Sequence, residues 1–179
     1  MNEAKEKSGL WKTVYPLVVL VIICVVVGAL LGFVNSATAP VIEENARIQA
    51  EQTRAAVLPG ATGFTELDCD LSLLNLTGAY VEDSGLGYVF TSANKGYGGD
   101  VTVTVGLNPD GEIVGLNANV STETSGIGSK AGQSAYTDLF IGLTGDSSSV
   151  DTISGASYSS RAVKTGVDAA LAAYAALVQ

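Results

Sequence analysis

The chain has 179 residues, with nine Lys and Arg against eighteen Asp and Glu, no histidine and two cysteines. Without histidine there is no Ser-His-Asp catalysis, no haem held through imidazole and little of zinc chemistry, and two cysteines cannot hold an iron–sulfur cluster alone. A net charge of −9 argues against nucleic acid and anionic membrane faces as partners, and the length suits one domain with an appendage.

Much of the 47% hydrophobic content is concentrated in residues 14–34, a run of 21 positions without a charged side chain. A helix of that length spans a bilayer core of roughly 30 Å. Residues 1–13 carry Lys5, Lys7 and Lys12 against Glu3 and Glu6, while Glu43 and Glu44 follow the run. This bias predicts a cytoplasmic N-terminus and an exported remainder. Ala37, Thr38 and Ala39 have the small-x-small form of a cleavage site, but the long apolar run and Pro40 favour a retained, single-pass anchor in the cell membrane. Gly28 and Gly32 form a small-xxx-small pair on which another membrane helix could pack. Cys24 falls inside the span and Cys69 outside it, so no disulfide is expected. From Pro40 onward, six Lys and Arg face sixteen Asp and Glu, a net charge of −10 on the exported part.

Residues 35–59 read as a stalk or linker, a mostly polar helix with Ile42, Ala46, Gln49 and Thr53 that Pro59 and Gly60 would stop. Residues 60–179 form the exported domain. Residues 68–78 give no clear period. Tyr80-Val81 and Tyr88-Val89-Phe90 flank Asp83-Ser84-Gly85 and predict two strands with a turn. A Gly-rich stretch, Gly96-Tyr97-Gly98-Gly99, precedes Val101, Val103 and Val105 in alternation with Thr102 and Thr104, a half-buried strand. Asn108-Pro109-Asp110-Gly111 returns the chain along residues 113–120 as an antiparallel partner.

Residues 131–143 carry Tyr136, Leu139, Phe140 and Leu143 and predict one short amphipathic helix. Before it, Glu123-Thr124-Ser125-Gly126-Ile127-Gly128 lets the backbone come close to a flat ligand while Thr124 and the amides offer hydrogen bonds. Near the C-terminus, residues 151–160 hold six hydroxyl side chains and Gly155 at the start of a helix whose face is Val163, Val167, Ala170, Leu171, Tyr174 and Leu177. Ser154 is the expected N-cap, which puts Ser157 about one turn in, beside amide donors that favour an anion.

Asp151, Ser154, Gly155, Ala156 and Ser157 resemble the flavinylation motif of the FMN-binding domain family found in the Rnf and Nqr ion-translocating electron-transport complexes, with Ser157 in the place of the family's acceptor threonine. The loop Glu123, Thr124, Gly126, Gly128 resembles the family's Glu-Thr-Pro-Gly-Leu-Gly, with Ser125 for Pro and Ile127 for Leu. The stretch around Tyr97 resembles the segment that enters the family's central sheet. This resemblance implies an α+β fold: one transmembrane helix, then an FMN-binding domain with an antiparallel sheet and flanking helices.

The resemblance further implies FMN bound covalently through its phosphate to Ser157, with Ser159 and Ser154 as alternative acceptors. Ser154, Gly155, Ala156, Glu123, Thr124, Ile127, Gly128 and Tyr97 would contact the cofactor, and Asp151 would be read by a flavin transferase. It also implies an electron-transfer subunit with no catalysis of its own. Its partners would be the membrane and iron–sulfur subunits of a complex coupling ferredoxin:NAD+ electron transfer to Na+ or H+ movement. The alternatives are an Nqr-type subunit of a Na+-translocating NADH:quinone oxidoreductase, and an anchored structural or binding protein without flavin.

Overall fold

The computed structural model describes residues 3–71 and 75–177, with side chains from Val14 onward. The charged side chains of residues 3–13, on which the orientation expectation rests, lie outside the described ones. Helix α1, Glu3–Val57, takes in both the apolar run and the expected stalk as one helix, with Pro16 and Pro40 inside it. Residues 35–57 of the expected stalk are helical, continuous with the apolar run. Proline removes one amide donor from a helix without obliging the chain to break there. The most apolar 18-residue window of α1 has a mean hydropathy of 3.3 and no buried residue, long and apolar enough to cross a membrane.

The chain divides into two compact units, Met1–Gln49 and Ala50–Gln179. In the second, five strands form one antiparallel sheet in sequence order: β1 Phe64–Glu66, β2 Gly78–Glu82, β3 Tyr88–Lys95, β4 Asp100–Leu107 and β5 Ile113–Asn119. Each strand pairs with its neighbour in sequence, so every connection is local. Alternation in β4 sends Val101, Val103, Val105 and Leu107 into the core, all fully buried. Helix α3, Ser157–Leu177, covers that face with Ala162, Val163, Val167, Ala170, Leu171 and Tyr174, while Leu177 at its end stays exposed.

Contact between helix and sheet is closest at Gly166, where a Cβ would lie 2.6 Å from Val103 Cβ. The opposite face of the sheet takes the end of α1. Val57 and Leu58 cluster with Val89, and the paired glycines Gly106 and Gly115 leave room for the Val57 carbonyl, which a Cβ on either would approach to 2.2 Å.

Instead of one helix over residues 131–143, the chain makes three short turns: 3-10 segment η1, Gly128–Gly132, helix α2, Ser134–Thr137, and 3-10 segment η2, Asp138–Phe140. Gln133 is extended, with φ −83° and ψ 148°, and breaks the period. Tyr136 and Phe140 are buried as their spacing requires, and their rings meet edge to face at 5.3 Å. Cys24 and Cys69 are both free.

Candidate functional site

The loop before α3 ends in a turn at Ser154 and Gly155, and the helix begins at Ser157. Ser154 is therefore not the N-cap. Gly155 has φ +81°, a left-handed conformation that interrupts the helical path between Ser154 and the first turn. Ser160 ties this junction from within the helix: its hydroxyl donates to the Ala156 carbonyl at 2.8 Å and accepts from the Ile153 amide at 3.0 Å. The first backbone bond of α3 runs from the Ser160 amide to the Ala156 carbonyl. Ser157 is thus the first helical residue rather than one turn in, and the amides of Ser157, Tyr158 and Ser159 have no acceptor within the helix.

Three segments far apart in sequence meet here. Tyr97, Glu123, Thr124, Ile127, Gly128, Gly155, Ala156, Ser157, Tyr158 and Ser159 line one cleft of about 390 Å³. The joint between them is Glu123, only 7% exposed. Its Oε1 accepts the amides of Tyr97 and Gly98, each at 3.0 Å, and its Oε2 accepts the hydroxyl of Ser159. Burial pushes the Glu123 carboxyl up, but the Ser159 hydroxyl and the amides of Gly98, Tyr97 and Gly99 outweigh it and hold the group below the usual carboxylate range. The Glu-Thr loop is tightened by the Thr124 carbonyl, which accepts the amides of Ile127 and Ser129, and by Ser129 Oγ, which accepts the Gly126 amide.

The hydroxyls of the junction differ in availability. Ser159 and Ser160 are 2% and 0% exposed and engaged in the bonds above, whereas Ser154 and Ser157 are exposed. Of those two, Ser157 lines the cleft and Ser154 does not. Asp151 lies outside the cleft as well, in an open groove of about 600 Å³ with Lys130, Gln133, Tyr136, Leu139 and Thr152.

Tyr158 is the residue that sequence reasoning missed. Its ring is 63% exposed and sits 6.3 Å from that of Tyr97, which is 75% exposed, with Arg161 5.9 Å away. An aromatic beside an acceptor hydroxyl is the signal that could have found it.

The residues suit a flavin mononucleotide. A cleft in the range of roughly 300–1,000 Å³ common for small-molecule sites offers apolar faces from Tyr97, Ile127 and Tyr158. Free helical amides and a reachable hydroxyl at Ser157 suit the phosphate.

Comparison with known proteins agrees. The FMN-binding domain family matches residues 96–172. The chain is 32% identical to the G subunit of the Na(+)-translocating ferredoxin:NAD(+) oxidoreductase complex of Acetobacterium woodii, over 96% of this chain and 97% of that protein. It is 31% identical to the G subunit of the ion-translocating oxidoreductase complex of Methanosarcina acetivorans, over 96% of each. With the G subunit of the proton-translocating ferredoxin:NAD(+) oxidoreductase complex of Clostridium ljungdahlii it shares 25% identity, over 85% of this chain and 86% of that protein. Near-complete coverage of these relatives, with the motif-bearing segments gathered in one cleft, makes this chain a member of the G-subunit family of ion-translocating oxidoreductase (Rnf) complexes, carrying an FMN-binding domain.

Proposed function

We propose that this chain is the flavin-bearing electron-transfer subunit of a membrane complex that couples ferredoxin:NAD+ electron transfer to ion movement, with FMN esterified through its phosphate to Ser157. The observation that carries the reading is the selection among hydroxyls at the head of α3. Ser159 and Ser160 are buried and occupied, and Ser157 alone of the exposed pair opens into the cleft. A phosphodiester there receives the partial positive charge of the helix start, which offsets part of the cost of adding an anion to an acidic domain.

Bound FMN supplies the redox chemistry. The chain's part is to hold it. Tyr97, Ile127 and Tyr158 present exposed side chains at the cleft, and Glu123 locks the Tyr97 turn and the first turn of α3 together. Asp151, in its neighbouring groove, is open to a flavin transferase approaching the segment from outside. A tether prevents loss of the cofactor from an exported site. On this reading α1 crosses the bilayer once, with residues 1–13 in the cytoplasm and the domain outside, where the membrane and iron–sulfur subunits of the complex reach it.

The ferredoxin-linked complex is favoured over an Nqr-type one because the relatives above, G subunits of ion-translocating oxidoreductase complexes, match along nearly their whole length. The test is to produce the full chain with and without a flavin transferase and to view the denatured band under ultraviolet light. Fluorescence that needs both the transferase and Ser157 supports the reading. A dark band in the presence of the transferase overturns the covalent attachment.

A further inference from the structure

Holding a nucleotide does not by itself require a buried charge, yet the cleft has one. Glu123 is the one charged side chain among the described residues that line it. Backbone amides of the Tyr97 turn and the Ser159 hydroxyl bind its carboxylate, and no lysine or arginine pairs with it among the described residues. Those neutral donors spread the charge without cancelling it. A full negative charge therefore stands in the wall of a partly desolvated cleft, where its field is screened far less than in water.

We propose that Glu123 tunes the cofactor: its fixed negative charge lowers the reduction potential of the flavin tethered at Ser157. The proposal rests on the flavin reading above. Above the pH at which the reduced ring loses its N1 proton, reduction adds two electrons and one proton and makes the ring one unit more negative than the oxidised form, and the Glu123 carboxylate repels that added charge. The oxidised ring, which has no such charge, is spared. Reduction is therefore disfavoured relative to free FMN, and the reduced centre gives up its electrons more readily to the next acceptor.

The test is a potentiometric titration, at a pH above that of N1 proton loss, of the full-length chain, loaded by a flavin transferase and reduced with dithionite in the presence of mediators. Glu123→Gln keeps the size of the side chain and an oxygen for the Tyr97 and Gly98 amides, but removes the charge. It shifts the midpoint upward, changing the oxidised-to-reduced ratio at fixed ambient potential on the order of tenfold. Ser159→Ala loosens the same joint while keeping the charge, and leaves the midpoint at or below that of the unsubstituted protein. A merely structural role for Glu123 would move both variants alike.

A second measurement needs no substitution. In the unsubstituted protein the two-electron-reduced flavin gives up its N1 proton at a higher pH than free FMN, because the carboxylate opposes the negative charge that this loss leaves on the otherwise neutral reduced ring. Equal midpoints in wild type and Glu123→Gln, an upward shift of the same size in Ser159→Ala, or an N1 proton lost at lower pH than in free FMN would each overturn the proposal. A chain without covalent flavin overturns the flavin reading and this inference together, whereas a loaded chain with an unshifted midpoint overturns this inference alone.

Discussion

A serine that accepts a phosphate must be both unengaged and reachable, and the four serines of the junction before and within α3 divide on those two conditions. Ser157 meets both and faces the cleft. Ser157→Ala is expected to abolish covalent flavin, and Ser154→Ala to retain it, with the flavin-to-protein absorbance ratio of denatured chain as the measurement. Ser157→Thr adds one methyl at an exposed first-turn position and is expected to load at least as fully. Most residues that line the cleft stand out in the order of residue types, but their hydrogen bonding does not. Nothing in the spacing of Glu123 and Ser159, 36 positions apart, says that one would bind the other. Ser154 was misread as the cap because a serine before a helix fits that role, while the left-handed turn at Gly155 is decided by how the loop packs.

Among the elements, those with strict alternation were the readable ones. Val101, Val103 and Val105 announced β4, and the Asn108 to Gly111 turn announced its pairing with β5. Strand β1, only three residues long, carries too little pattern to be seen, and residues 131–143 show a helical period that the extended Gln133 interrupts. Gly166 looked unremarkable in sequence, yet it sets how closely α3 approaches the sheet. Gly166→Ala is expected to destabilise the domain by about 1–3 kcal/mol, as overpacking does, in spite of alanine's better helix propensity, and a denaturant titration measures it.

The β2–β3 turn offers a second element-scale test. The Ser84 hydroxyl, with the amides of Leu86, Thr62 and Ser84, holds the buried Glu82 carboxyl down at about 2 from an ordinary 4.5. A folded value below the unfolded one means stabilisation that is present above about pH 4.5 and lost as the pH falls toward 2. Glu82→Gln is therefore expected to lower the melting temperature at pH 7, with the gap to the unsubstituted protein closing in that acidic window. A gap independent of pH would contradict the assignment.

At the scale of the whole molecule, one apolar helix and a strongly acidic domain define where the chain works. The span was legible because 21 uncharged positions have few other uses, while the continuity of α1 through Pro40 was not, since proline more often ends a helix than rides inside one. An exported domain predicts that a cysteine placed at the exposed Asp110 reacts with a membrane-impermeant maleimide in intact cells. Reaction only after lysis would reverse the orientation.

The proposed covalent bond is tested most directly by peptide mass spectrometry of native chain from its own host, across residues 152–161. The account predicts a mass increase of FMN less water, with fragments that place it on Ser157. An unmodified Ser157 in native, fully assembled complex would contradict it.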